Sequence, residues 1–250
     1  MPISTAHPAI VLPFFRLPKH LISVSALIFG SIAPDLEYFY HLSPKRTYGH
    51  LWAHAWWFDG LIALGLCFVF HWFVRDVLIE YLPTPLYQRF ATYKSFDWLA
   101  HCRKHFLAIV FSAILAIYLH LLWDAFTHKG MFFVDTFPIL QTLLFEVSSY
   151  KVYIYKVLQH LSSLLGTLVI LYSIWQLPRQ KERSPSSKWY WYWLAVVGFS
   201  LLFLLITLLI NETPLAISLN SFSKIIVTLM SGGFWGMLVV AVLFFLLRLK

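Results

Sequence analysis

Five stretches of this chain are each long enough and apolar enough to cross a lipid bilayer, and that constrains the fold more than any other feature. A spanning helix needs about 20 mostly apolar residues. Trp189 to Ile210 and Ile225 to Leu247 meet this cleanly; Leu51 to Phe73, Phe106 to His128 and Val152 to Leu177 meet it with polar residues near one end. Of the 250 residues, 60% are hydrophobic and only 12% charged. Soluble domains carry about 25% charged residues, so this chain has too few to cover a water-facing globule. A soluble enzyme, a disordered tail and a solenoid are excluded. The expected fold is all-α: a polytopic membrane bundle of five spanning helices plus an N-terminal short helical hairpin.

The hairpin reading comes from His7 to Phe15 and Leu21 to Ile32, which are apolar but too short to cross a core of about 30 Å at 1.5 Å per residue. Arg16-Leu17-Pro18-Lys19-His20 breaks them like a turn. Pro34 marks the exit, because the residue before a proline is steered out of helical geometry. The hairpin then brings His7 close to Asp35. Val74 to Lys104, with its mixed charges, reads as an interfacial amphipathic segment, and Gly130 to Lys151 as holding a short interfacial helix. Arg179 to Lys188 is hydrophilic. The division is a metal-site domain over 1–177, a basic cytoplasmic linker over 178–188, and two C-terminal helices over 189–250. The N-terminus lacks a basic n-region and carries Pro8 and Pro13, so it is expected to be retained rather than cleaved as a signal peptide.

The net charge of +8 reads as topology, not as nucleic-acid binding, because the basic residues sit mostly in short loops. Placing 179–188 in the cytoplasm puts Arg75, Arg89, Lys94, Arg103, Lys104, Arg248 and Lys250 there too, with Arg16 and Lys19 pointing inward. The other side keeps Lys45, Arg46, Lys129, Lys151 and Lys224. Cys67 and Cys102 form neither a disulfide framework nor a CxxC knuckle. Gly232 and Gly236 form GxxxG, a helix-packing signal. Asn211-Glu212-Thr213 matches the glycosylation pattern, without meaning if the source is bacterial.

Ionisable residues at membrane depth are costly and mark function, and here they gather at one end. His50 and His54, at i and i+4, open one spanning helix on a shared face. His120, Asp124 and His128 close the next on one face. These two helices run antiparallel, so the sets are level, and His160 joins them about two turns into the following helix. Asp35 and His7 arrive through the hairpin; Glu37 follows by two residues and Asp59 lies deeper. Imidazole nitrogen with carboxylate oxygen is zinc chemistry, or iron and manganese chemistry with more carboxylates. His20, His41, His71, His101 and His105 are read as ordinary core or interfacial residues. The many tryptophans and tyrosines are belt and packing residues.

"HPAIVLP", "GSIAPDLEYF", "GHLWAHAWWFDG", "HLLWDAFTHKG" and "LQHLSSLLG" resemble a bacterial membrane family of unknown function that looks related to the membrane-bound metal-dependent hydrolases. Those carry an N-terminal His, a PDxD-like motif, a THS-like motif and SHxxxDxxTPxG. The resemblance covers about residues 5 to 166, and "HLLWDAFTHKG" is its most specific block. A more distant similarity is to zinc-dependent phospholipase C and the single-strand nucleases, whose zinc cluster sits in a helical bundle. It implies His7, Asp35, His50, His120, Asp124, His128 and His160 as ligand positions. Departures at Pro34-Asp35-Leu36-Glu37, at Tyr48-Gly49-His50-Leu51 and at Leu164, four residues after His160, imply one or two metals rather than three.

The leading expectation is an integral membrane metal-dependent hydrolase, phosphodiesterase- or phosphatase-like, acting on a lipid or lipid-linked phosphoester at the interface. Its metal set is His7, Asp35, His50, His54, His120, Asp124, His128 and His160; Asp35 or Glu37, where it is not a ligand, is the general base; the cofactor is one or two divalent ions, zinc foremost, manganese or iron otherwise. The partner is membrane lipid and not nucleic acid. The location is a bacterial inner membrane with the site on the non-cytoplasmic side. Two alternatives use the same residues: a divalent-metal or proton transporter, and a non-catalytic scaffold stapled by a structural metal. Transport calls for sites near the midplane, whereas these bunch at one end.

Overall fold

In the computed structural model, residues 4–41, 47–94, 96–147, 150–180, 184–210 and 219–248 are described. The glycosylation-like triplet at 211–213 lies outside them. Helix dominates, as the composition requires of a chain whose backbone must satisfy its own hydrogen bonds in lipid. The order is a 3₁₀ helix Ser4–Arg16, α1 Val24–Ile32, α2 Leu36–His41, α3 Phe58–Val69, a π turn Phe70–Val74, α4 Arg75–Glu80, α5 Thr84–Phe90, α6 Trp98–Thr127 and α7 Phe132–Thr136. Strands β1 Leu143–Val147 and β2 Tyr150–Tyr153 follow, then α8 Ile154–Trp175, α9 Trp189–Ile210 and α10 Leu219–Arg248. Five segments are long and apolar enough to span a bilayer: Phe58–Glu80, Trp98–Thr136, Ile154–Trp175, Trp189–Leu209 and Ile225–Leu247. The chain is an integral membrane protein.

The hairpin is present, but its first arm is a 3₁₀ helix rather than an α-helix. Pro8 and Pro13 lie inside it, and each lacks the N–H that an α-helix needs for its i→i−4 bond. The first spanning helix starts at Phe58, not Leu51. Residues 51–57 wind through successive turns, with the N–H groups of His54 and Ala55 both bonded to the Leu51 carbonyl. His50 has φ +69°, a left-handed conformation that no α-helix continues. His50 and His54 therefore do not open a helix on a shared face. That span instead runs on through the π turn to Glu80, absorbing the start of the stretch expected to lie at the interface. Between 130 and 151 a five-residue helix and an antiparallel two-stranded hairpin stand where a single short helix was expected.

The chain forms two compact units, each described by itself. One comprises Met1–Asp35, Tyr48–Leu64 and His105–Ser173. Its centre is the contact of the N-terminal hairpin with α6, where Val11, Ile22, Leu27 and Ala116 are buried together. Small residues allow the helices to touch backbone to backbone, as in membrane interfaces generally. A Cβ at Gly30 would stand 2.5 Å from the Ala113 carbonyl oxygen. The Ser112 hydroxyl accepts a bond from the Ser23 N–H at 2.8 Å. On the other flank, a Cβ at Gly166 of α8 would meet the Ala6 carbonyl at 3.1 Å and the Trp123 ring at 3.3 Å.

The second unit comprises Leu36–Thr47, Gly65–Lys104 and Ile174–Lys250. The α9–α10 pair dominates it, and Tyr192, Val196, Val240 and Ala241 pack there with Val74 and Val77. The GxxxG glycines meet α9: a Cβ at Gly232 would lie 2.8 Å from Ser200 Cα, and one at Gly236 2.9 Å from Phe199 Cβ. Arg89 is buried. Its guanidinium donates to the Trp175 carbonyl at the end of α8, at 3.2 and 3.3 Å, and lies over the Trp175 ring. Glu37 accepts a bond from the Thr47 N–H at 2.6 Å and lies 3.7 Å from His41 Nε2.

Candidate metal centre

The close packing of α1 on α6 decides where the polar residues end up. His120 follows Ala116 by four residues, so it lies one turn along the same face of α6. That brings its Nδ1 to 2.7 Å from the Ser31 carbonyl oxygen at the end of α1. A carbonyl only accepts, so Nδ1 carries the hydrogen and Nε2 presents a lone pair. Asp124 stands a further turn on. Asp35 enters from the short 3₁₀ turn Ala33–Asp35 that ends the hairpin. His50 is turned inward by its positive φ, an arrangement costing on the order of 1–3 kcal/mol that persists at functional sites where surrounding contacts enforce it.

These four residues converge. Asp35, His50, His120 and Asp124 each offer a ligand atom, all within 4.8 Å of one another, and all four residues are buried. His50 Nε2 lies 3.3 Å from Asp35 Oδ1 and 3.2 Å from Asp124 Oδ2. His120 Nε2 lies 3.7 and 3.6 Å from the same two oxygens. The two nitrogens are 3.3 Å apart. A regular tetrahedron with edges of about 3.4 Å has its centre about 2.1 Å from every vertex, which is the zinc–nitrogen and zinc–oxygen bond length. Five of the six donor–donor distances thus lie close to the edges of a tetrahedral site for a dication. Two carboxylates would neutralise it, removing the cost of burying their charges in an apolar setting.

His7 and His128 stand behind the carboxylates. Asp124 turns its other oxygen, Oδ1, to His7 Nε2 and to His128 Nδ1, at 3.2 Å each. His7 Nδ1 faces Asp35 Oδ2 at 3.5 Å, and the His7 ring stacks on His120 with centroids 3.9 Å apart. Outer contacts of this kind orient ligating carboxylates and tune a metal. His128 contacts Thr127 Oγ1 at 3.0 Å and the Gln159 amide at 2.8 Å.

Electrostatics follow from this enclosure. Burial disfavours a charged Asp35, yet the facing imidazoles of His120, His50 and His7 hold its carboxyl below the usual range. Burial likewise opposes a charged His50, but the Asp124 and Asp35 carboxylates push it up to about 9. His7 is also raised, burial being outweighed by its bond to Asp124 and the charge of Asp35.

The structure thus brings together six of the residues singled out from sequence: His7, Asp35, His50, His120, Asp124 and His128. Others go elsewhere. His54 is half-buried against the Tyr48 and Trp57 rings. Asp59 is fully buried as the second residue of α3. His160 is exposed; the residue that reaches His128 is Gln159, because one residue turns an α-helix by about 100°. Glu37 is engaged with Thr47 and His41 as described above. Two contributors were not read from sequence. Gln159 is adjacent to the histidine chosen in its place, and the Ser31 carbonyl leaves no side-chain signal.

A family model described as a domain of unknown function, DUF4184, matches residues 1–242. No curated protein and no solved structure matches the chain.

Proposed function

We propose that this chain, which belongs to the DUF4184 family, is a metal-dependent hydrolase of the membrane, acting on a lipid or lipid-linked phosphoester. The observation that carries the reading is the buried set of Asp35, His50, His120 and Asp124 donors, all within 4.8 Å of one another, with the His120 lone pair aimed inward. Structural zinc sites are rich in cysteine, whereas catalytic ones use imidazole and carboxylate; this set holds no cysteine. A divalent ion, zinc foremost, supplies Lewis-acid polarisation of a phosphoryl or carbonyl oxygen and activates water near neutral pH.

The chain's own residues do the rest. Asp35 and Asp124 hold the charge, and Ser31 fixes the His120 tautomer. His7 braces the outer oxygens of both carboxylates. His128 takes the proton-carrying role expected earlier of Asp35 or Glu37, since it contacts Asp124 and its side chain, 15% exposed, is the most open of the six. The apolar surroundings and the position at the end of α6 support a lipid substrate. The distribution of basic residues supports a non-cytoplasmic centre.

One observation favours a second reading. Four protein donors, all buried, make a closed shell, and closed shells are structural. In that case the metal staples α1, α6 and the 48–57 turns.

Metal analysis of the purified protein tests the shared premise. Wild type is expected to carry stoichiometric metal, and His120→Ala and Asp124→Ala to lose it. Metal-free wild type prepared without chelator overturns both readings. Chelator-sensitive release of a phosphorylated headgroup from lipid supports the hydrolase; melting that depends on metal without turnover supports the staple.

A further inference from the structure

We propose that an open groove between the N-terminal 3₁₀ helix, α6 and α8 seats one hydrocarbon chain of the lipid whose headgroup reaches the metal centre. The inference rests on the hydrolase reading and extends it to a substrate subsite. The groove holds about 510 Å³ and is lined chiefly by Ile10, Trp123, Phe126, Leu158, Leu161 and Leu165, within the size range of ligand sites.

Three observations single it out. The first is continuity with the centre. Trp123 immediately precedes Asp124, and its ring meets the His7 ring edge-on at 5.7 Å, so the indole and then the His7 imidazole lead from the groove to the carboxylates. Thr127, at the end of the wall, touches His128.

The second is how the few polar groups are spent. The Trp123 indole N–H donates to Ser162 Oγ at 3.1 Å, Ser162 donates to the Gln159 carbonyl, and Thr127 donates to the Trp123 carbonyl. Every polar side chain in the wall is thereby turned into its own helices, which leaves carbon facing the groove. A surface of that kind offers a hydrocarbon chain burial and offers a polar ligand nothing.

The third is fit and access. Both α6 and α8 lie in segments able to span the bilayer, so the groove opens where lipid chains are. Gly166 lets α8 approach Trp123 and Ala6 closely, where an added Cβ would stand 3.3 Å from the indole and 3.1 Å from the Ala6 carbonyl oxygen. A second apolar groove, lined by Leu17, Leu21, Leu107 and Phe111, has no lining residue next in sequence to a residue of the centre and serves as the internal comparison.

The test is photolabelling of the full-length protein in phosphatidylcholine vesicles containing phosphatidic acid with a diazirine on its acyl chain, with adducts mapped by mass spectrometry. Adducts are expected to concentrate on Phe126, Leu161 and Leu165. Leu165→Trp, at a half-exposed position, fills the groove and should cut that labelling roughly tenfold, the equivalent of about two methylenes no longer buried. Leu161→Trp should act alike. Leu171→Trp, exposed on the same helix but outside the groove, should leave the pattern unchanged. His120→Ala separates the two claims: groove labelling persists in it if the subsite is real, even where turnover was never present. Adducts spread evenly over α8 including Leu171, equal labelling of the comparison groove, or indifference to both groove-filling variants would overturn the proposal.

Discussion

Gly30→Ala probes the link between helix packing and the metal centre. The added Cβ would lie 2.5 Å from the Ala113 carbonyl oxygen and 2.9 Å from Ala116 Cβ. Neither atom is the end of a flexible side chain, so relief must come from moving α1 off α6. Restoring an ordinary contact takes about 0.9 Å of retreat. The neighbouring Ser31 carbonyl moves with it, stretching its 2.7 Å bond to His120 to about 3.6 Å, beyond hydrogen-bonding range. Overpacking of this kind costs about 1–3 kcal/mol, partly offset by alanine's helix propensity of about 1 kcal/mol. Losing an outer contact to a ligating histidine lowers metal affinity about 10- to 100-fold. The assays are thermal melting in detergent and zinc titration against a chromophoric chelator. Gly65→Ala is the control, because nothing lies within 4 Å of its added Cβ; it should leave metal affinity alone and hold or raise the melting temperature. A Gly30→Ala protein that melts and binds zinc like wild type would refute the reasoning that helix approach sets the centre.

Other outcomes follow from the same geometry. In chelator-treated protein, His50 is raised to about 9 from an ordinary 6.5. Its stabilising contribution is therefore fully present below pH 6.5 and lost as pH rises through 9, so Tm should fall across that window and fall less in His50→Gln. His160→Ala should leave metal content unchanged by elemental analysis, whereas Gln159→Leu, which removes the amide beside His128, should reduce it. Arg89→Leu strips the donors from the Trp175 carbonyl. It should lower stability in denaturant titrations while leaving metal stoichiometry intact.

Membrane class, helical architecture and all five spans, the first with its start displaced from Leu51 to Phe58, were legible from the chain alone, because bilayer thickness converts directly into a count of apolar residues. The chemistry of the centre was legible for a similar reason: buried ionisable groups are too costly to be incidental, and His120, Asp124 and His128 lie on one helical face whatever the helix packs against. The rest depended on backbone geometry that no periodicity encodes. His50 and His54 have helical spacing, but a positive φ at His50 unwinds the turn, sending one imidazole into the centre and the other against Tyr48 and Trp57. His160 and Gln159 differ by one residue, and only the rotation of α8 against α6 chose between them. Above all, the donors reach bonding distance because Gly30 lets α1 close on Ala113 and Ala116. Local sequence specifies which side chains carry nitrogen and oxygen; contacts between segments far apart in the chain specify where those atoms meet.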